Sequence, residues 1–129
     1  MKKILIINSN YYKKISDNLV FNAKKRLLSV KFKVNILDIP GAFEIPIAIR
    51  KNIKKFDGFV ALGCVIKGQT PHFDFISQAS TNAIMDMSVL NKKPIGNGII
   101  TCLNMGQAKM RKKKGAEAAK AVNSVLSQK

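Results

Sequence analysis

The sequence has few of the residues that build metal centres and disulfide frameworks. Its 129 residues include one histidine, two cysteines and no tryptophan. Cys64 and Cys102 are far apart in the chain, and neither has a second cysteine or histidine at ligand spacing nearby. A zinc site or a disulfide framework is therefore not expected. Both residues are predicted to be reduced thiols packed at strand ends.

Long apolar segments are missing as well. No apolar run approaches the roughly 18–20 residues that cross a bilayer, so no membrane partner is expected. A short apolar run follows the first three residues, and a polar turn predicted at Asn8, Ser9 and Asn10 ends it. This run is too short for a signal peptide and predicts a first strand in a cytoplasmic protein. The length predicts a single domain over residues 1–129.

Acidic residues are scarce relative to basic ones. Seven Asp and Glu face 23 Lys and Arg, which gives a net charge of +16. Such a field attracts anions of any kind, including nucleic acid. However, the lysines are dispersed, aromatic residues make up 7% of the chain, and no stacking motif is interleaved with the basic residues. No specific nucleic-acid binding is expected, and a basic nucleic-acid-associated α/β protein is kept as an alternative.

The clearest signal for function is a buried strand followed by a helix. Residues 59–66 are apolar without alternation, as in a strand buried on both faces, and residues 67–71 form a polar turn. Thr70 is the predicted N-cap of a helix that begins near His72, where free backbone N–H groups favour an anion. The positive end of this helix should lower the pKa of His72, so that its imidazole is neutral and can accept a proton. The alternative is ordinary α/β architecture in which His72 only caps the helix.

Further strands are predicted at residues 3–7, 33–39 and 95–102, and helical apolar stripes alternate with them. One stripe comprises Tyr12, Ile15, Leu19, Ala23 and Leu27, and the helix from His72 carries Ile76, Ala79, Ala83, Met87 and Leu90. Gly96 and Gly98 weaken the fourth strand and indicate a close approach of backbone or ligand. The alternation predicts an α/β fold with a parallel sheet covered by helices on both faces.

Three motifs in order carry a family resemblance: PGAFEIP at residues 40–46, ALGCVIKGQTPHFDFIS at residues 61–77, and PIGNGIIT followed by QAKMR at residues 94–111. They resemble the 6,7-dimethyl-8-ribityllumazine synthase family of riboflavin biosynthesis over nearly the whole chain. The resemblance implies a flavodoxin-like three-layer sandwich with strand order 2-1-3-4. It implies a transferase that joins 5-amino-6-(D-ribitylamino)uracil to 3,4-dihydroxy-2-butanone 4-phosphate, with no metal or organic cofactor. The alternative within this fold is a catalytically idle assembly subunit.

The resemblance also assigns site residues. His72 is the expected general acid/base, and an aromatic ring that stacks on the pyrimidine matches Tyr11, with Tyr12 as the next candidate. The residues matched to the pyrimidine and ribityl chain are Tyr11, Ala42, Phe43, Glu44, Cys64, Val65, Ile66 and Asn97. Those matched to the phosphate are Gln69, Thr70 and Arg111, with Lys114 as a further match. From the residues alone, Tyr11 and Phe43 could equally cap or fill the core, and Asn97 could be a loop-edge asparagine.

The expected assembly is a homo-oligomer, by resemblance a pentamer. One subunit would supply Tyr11, Phe43, Glu44 and His72 to a site that the next completes with Asn97 and Arg111. Three lysines separate Arg111 from Gly115, where relatives carry several more residues that form a bend. This missing bend, a start directly at the first strand and mutual repulsion of cationic rings predict an isolated pentamer rather than a shell. Association with riboflavin synthase is left open.

Overall fold

The computed structural model describes residues 1–68 and 72–128, except for the side chain of residue 72. In this part of the chain the strands are β1 (Lys3–Ser9), β2 (Lys33–Ile39), β3 (Gly58–Ile66) and β4 (Ile95–Cys102). The α-helices are α1 (Lys13–Ser29), α2 (Ile45–Asn52), α3 (His72–Asn91), α4 (Met105–Met110) and α5 (Lys114–Leu126). A single 3-10 turn, Ala42–Glu44, leads into α2.

The strands form one parallel sheet in the order β2-β1-β3-β4, as predicted. Ile6 of β1 lies opposite Ile36 of β2 and Val60 of β3, and Val60 in turn lies opposite Gly96 of β4. The central strands β1 and β3 are buried almost throughout, whereas β2 at the edge is largely exposed. This difference explains the continuous apolar runs of β1 and β3, because a strand covered on both faces has no solvent side for polar residues.

Helices cover both faces of the sheet and create two hydrophobic cores. The first core packs Ile4 and Ile6 of β1 against Leu19 of α1 and Val122 of α5. The second core packs residues of the opposite face against α2 and α3, with Ile84 as its buried member from α3. This three-layer arrangement is the flavodoxin-like fold that the resemblance implied.

Two glycines allow α5 to approach its neighbours closely. A Cβ atom at Gly96 of β4 would overlap the carbonyl oxygen of Ala118 in α5. A Cβ atom at Gly115 of α5 would overlap the carbonyl group of Leu19 in α1. Gly96, which was predicted to mark a close approach, therefore makes room for the backbone of α5.

Two details differ from the sequence predictions. β1 continues to Ser9, so the predicted turn at Asn8 and Ser9 is wrong; the parallel ladder with β2 extends to Ser9, and Asn8 Nδ2 donates to Asp38 Oδ1 at 3.0 Å. In α3, Ala79 and Leu90 do not join the predicted stripe, and Leu90 is 81% exposed. The side of α3 that faces the sheet is instead centred on the buried residues Ser80 and Ile84.

Candidate active site

A first cavity of about 510 Å³ lies at the carboxyl ends of β1 and β3. In the sheet, β1 has β2 on one side and β3 on the other, so the strand order reverses between β1 and β3. Open parallel sheets bind ligands at such a point. The cavity is lined by Ser9, Tyr11, Tyr12, Pro40, Gly41, Ala42, Phe43, Glu44, Cys64, Val65, Ile66 and Ile76.

Two aromatic side chains are exposed around the first cavity. Tyr11 follows β1 and is 73% exposed, and Phe43 follows β2 and is 68% exposed. Tyr12 packs edge-to-face on Tyr11 with ring centroids 4.9 Å apart, and it contacts the first core. Burial, and then the neighbouring Tyr11, raise the pKa of the Tyr12 hydroxyl. Tyr11 therefore offers an open ring face to a ligand, whereas Tyr12 supports it from behind.

The end of β3 presents backbone groups to the first cavity. The ladder between β1 and β3 ends at the pair Asn8 and Leu62, whereas the ladder between β3 and β4 continues to Ile66 and Cys102. The N–H of residue 67 donates to the Cys102 carbonyl at 2.8 Å. Because alternate residues of a strand bond to opposite neighbours, the backbone groups of Cys64 and Ile66 point away from β4, toward the cavity.

Cys64 contributes bulk rather than reactivity to this cavity. It is buried beside Cys102, and desolvation, followed by the neighbouring Cys102 thiol, raises its pKa to about 12. The thiolate, not the thiol, is the nucleophilic form of cysteine. Cys64 is therefore neutral at ordinary pH and is unsuited to covalent catalysis. Both cysteines are free thiols, as predicted.

A second cavity of about 710 Å³ lies along the outer edge of β4 and carries cationic side chains. It is lined by Thr81, Asn97, Ile99, Ile100, Thr101, Met110, Arg111, Lys113, Lys114 and Glu117. Asn97 projects from the middle of β4, and its Oδ1 accepts a hydrogen bond from the Ile99 N–H at 3.0 Å. Lys114 at the start of α5 lies 3.8 Å from the Glu117 carboxylate, an exposed contact that leaves it accessible to an anion.

Arg111 is held in place by α4 and by β4. Asn104 caps α4 by accepting from the Gln107 N–H at 2.9 Å, and Gln107 Oε1 accepts from the N–H of residue 103 at 2.8 Å. This reciprocal cap fixes the start of the short helix α4, whose C-cap residue is Arg111. The Arg111 Nη1 donates to the Thr101 carbonyl at 3.0 Å and lies 3.9 Å from Cys102 Sγ. Since a guanidinium has five N–H donors, this anchor leaves others for a bound anion.

The structure thus divides the predicted site residues between two cavities. The first contains Tyr11, Ala42, Phe43, Glu44, Cys64, Val65 and Ile66, and the second contains Asn97, Arg111 and Lys114. No residue lines both cavities in the described part of the chain. Gln69 and Thr70 lie outside the described residues, as does the side chain of His72, whose backbone begins α3.

Comparison with known proteins decides the family. The model of the family described as 6,7-dimethyl-8-ribityllumazine synthase matches residues 1–129. The chain belongs to this family. A 6,7-dimethyl-8-ribityllumazine synthase of Novosphingobium aromaticivorans is 40% identical over 133 residues, covering 98% of this chain and 95% of the relative. A protein of the same name from Bartonella tribocorum is 42% identical, covering 92% of this chain and 83% of the relative. Another from Methylorubrum extorquens is 39% identical, covering 96% of this chain and 79% of the relative.

Within this lumazine synthase family member, the sequence interpretation missed several residues of the first cavity. They are Ser9, Pro40, Gly41 and Ile76. Ser9 was assigned to a turn because a polar residue after an apolar run usually ends a strand. The signal that could have found it is strand length: the second strand was predicted over seven residues, and a parallel partner of equal length would extend the first strand to Ser9.

The described residues contain neither a cluster of metal ligands nor a membrane-spanning helix. Within residues 1–68 and 73–128, no group of three or more His, Cys, Asp or Glu side chains could hold a metal ion. No helix among those described is long and apolar enough to cross a membrane.

Proposed function

We propose that this chain condenses 5-amino-6-(D-ribitylamino)uracil with 3,4-dihydroxy-2-butanone 4-phosphate. The products are 6,7-dimethyl-8-ribityllumazine, phosphate and water, in the penultimate step of riboflavin biosynthesis. The family match over the whole chain carries this proposal. The division of the site residues supports it, because the reaction joins an aromatic polyol to a phosphate ester. The first cavity offers aromatic and acidic groups and the second offers cations.

In this scheme the first cavity holds the pyrimidine substrate. Tyr11 stacks on the ring from the cavity mouth, and the backbone groups of Cys64 and Ile66 bond to its polar edge. Glu44 and the backbone near Phe43 accept hydrogen bonds from the ribityl hydroxyls. Hydrogen bonds to charged groups are stronger than those between neutral groups, so Glu44 fixes the polyol more firmly than an amide would.

The cations of the second cavity hold the phosphate. Arg111 is the principal ligand, because a planar guanidinium matches phosphate oxygens with two parallel hydrogen bonds. Its bond to the Thr101 carbonyl positions the group before the substrate arrives. Lys114 adds a point charge, and Gln69 and Thr70, which follow β3 in the sequence, remain the other proposed partners.

The chemistry needs positioning and proton transfer. The substrate amine condenses with the carbonyl and releases one water, phosphate is eliminated, and the ring closes with loss of a second water. Holding the two reactants together supplies much of the acceleration. His72 is the proposed general acid/base, a role that follows from its match to the family motif and its place at the start of α3.

Assembly brings the two cavities together in our proposal. α3 carries apolar side chains on the side that faces solvent as well as on the side that packs on the sheet: Phe75, Met85, Val89 and Leu90 are all exposed. Large apolar side chains exposed together on one helix are typical of a protein–protein interface. We propose that α3 is covered by other subunits in a homopentamer, in which the second cavity of one subunit completes the first cavity of its neighbour. Such head-to-tail contacts form a closed ring when the rotation between neighbouring subunits is one fifth of a turn.

The proposal is tested by incubating the purified protein with both substrates and recording the fluorescence of the lumazine. Product that requires both substrates supports the function, and no product above the uncatalysed reaction overturns it. Light scattering should show a species near five times 14.3 kDa. Association with riboflavin synthase and a cytoplasmic location are secondary points of the proposal, tested by co-elution and by cell fractionation.

A further inference from the structure

A buried serine hydroxyl at the first cavity has no assigned role. Ser9 is 2% exposed and is one of the residues that line the cavity. Its Oγ has no hydrogen-bond partner among the residues that the structure describes. A buried hydroxyl without a partner is unfavourable, because it has lost water and gained nothing in exchange. Such a group needs an explanation.

The surroundings of Ser9 keep space open beside its hydroxyl. Leu5, Ile7 and Ser9 alternate along β1 and face the second core, so Ser9 stands where an apolar residue would pack well. Gly63 of β3 lies next to Ser9, one residue beyond the last pair of the β1–β3 ladder. A Cβ atom at Gly63 would lie 3.0 Å from Ser9 Cβ, closer than most real contacts, and 3.6 Å from its Oγ, an ordinary van der Waals distance. The glycine therefore leaves room between β1 and β3 at the base of the cavity.

We propose that Ser9 Oγ hydrogen-bonds a polar atom of the ribitylaminopyrimidine substrate and acts as a positioning residue at the base of the first cavity. This inference rests on the proposed function. A hydroxyl both donates and accepts, so it suits the carbonyl and amine groups of the ring and the hydroxyls of the ribityl chain. The phosphate substrate is a less suitable partner by location, because its proposed ligands Arg111 and Lys114 line the other cavity.

Ser9→Ala tests this role by its opposite effects on stability and on binding. The variant should keep or raise the melting temperature of the ligand-free protein, because a partnerless hydroxyl is removed. The KM for the pyrimidine should rise about tenfold, because a substrate group loses its partner in a buried site. The KM for the butanone phosphate and kcat should stay within about twofold of the parent values. Calorimetry with the pyrimidine alone should show the same weakening in Kd.

Two further variants separate hydrogen bonding from packing. Ser9→Cys keeps nearly the same volume but is a weak donor, so its KM for the pyrimidine should resemble that of Ser9→Ala. Ser16→Ala is the matched control, since Ser16 is fully buried, lines neither cavity and donates its hydroxyl to the Lys13 carbonyl at 3.1 Å. It should lower the melting temperature and leave both KM values unchanged.

Three results would overturn the inference, and they are distinguishable. An unchanged pyrimidine KM in Ser9→Ala would show that the hydroxyl is satisfied without substrate, with the proposed function intact. If Ser9→Ala lowers the melting temperature, and Ser9→Cys has the parent melting temperature and the parent KM for the pyrimidine, then Ser9 has a packing role. A parent protein that makes no lumazine and binds neither substrate would remove the proposed function, and this inference with it.

Discussion

Two inactive variants, one altered in each cavity, should restore activity to one another when their subunits assemble together. The first carries Phe43→Ala and Glu44→Ala, and the second carries Arg111→Ala and Lys114→Ala. Phe43, Arg111 and Lys114 are exposed in the single chain and Glu44 is partly exposed, so these substitutions should leave the subunit folded. Each variant by itself should lose most activity, because every site in its ring lacks one set of contacts.

The expected recovery follows from the geometry of a ring. Each site takes its first cavity from one subunit and its second cavity from the next. With random assembly at equal amounts, each of these two subunits supplies an intact cavity half of the time. About one quarter of all sites should therefore be intact, giving about 25% of parental activity per subunit. Across mixing ratios, the initial rate of lumazine formation should follow the product of the two subunit fractions.

The mixed oligomers are prepared by co-expression or by refolding the two chains together. A matched control mixes the first-cavity variant with Tyr11→Ala, since both carry the defect in the same cavity, and it should show no recovery. Activity that never exceeds the sum of the separate variants would refute the shared site. It would mean that Arg111 and Glu44 of one chain serve the same substrate pair.

His72→Ala should lower turnover by about 10²–10⁴-fold while both substrates still bind, and turnover at the parental rate would leave His72 a structural role. Arg111→Lys should raise the KM for the butanone phosphate more than that for the pyrimidine, because lysine keeps the charge and loses the planar fork; an unchanged KM would exclude Arg111 as the phosphate ligand. Gly115→Ala should lower the free energy of unfolding by about 2 kcal/mol or more, measured in urea, because its new methyl overlaps the backbone of α1. Gly68→Ala, whose added Cβ has no atom of the described residues within 4 Å, is the control, and equal losses in the two variants would contradict the packing argument. The pKa of Cys64 rises from 9.0 to about 12 on folding, so its contribution to stability should be complete below pH 9 and lost as pH rises toward 12. Cys64→Ala should therefore show a shallower loss of stability over this range, and an identical slope would disprove the linkage.

The elements of the fold followed closely from local patterns. The unbroken apolar run at residues 59–66 predicted a strand buried on both faces, and β3 has that burial. β2 shows the limit of this reasoning, because its residues match a strand but nothing local reveals that it lies exposed at the edge of the sheet. Edge position depends on which other strands pair with it. The strand order itself came from the family resemblance rather than from periodicity.

The site was less accessible to sequence reasoning. Those motif-matched residues that the structure describes line cavities, but the two-cavity division required the sheet order, which places β4 at an edge and β1 beside β3. Ser9 was missed because its role depends on Gly63 of another strand. Likewise, the exposure of Leu90 could not be read from helical spacing, because both sides of α3 are apolar.

By itself, the sequence determined the strands, the helices, the reduced thiols and the motifs that place the chain in its family. These properties arise from periodicity, propensity and composition, which act between residues close together in the chain. The tertiary structure alone decided how far β1 extends, which face of α3 meets the sheet, why Gly96 and Gly115 are glycines, and how the site residues divide between two cavities. Each of these depends on the approach of segments distant in sequence, where a single Cβ atom or one ladder hydrogen bond decides what fits.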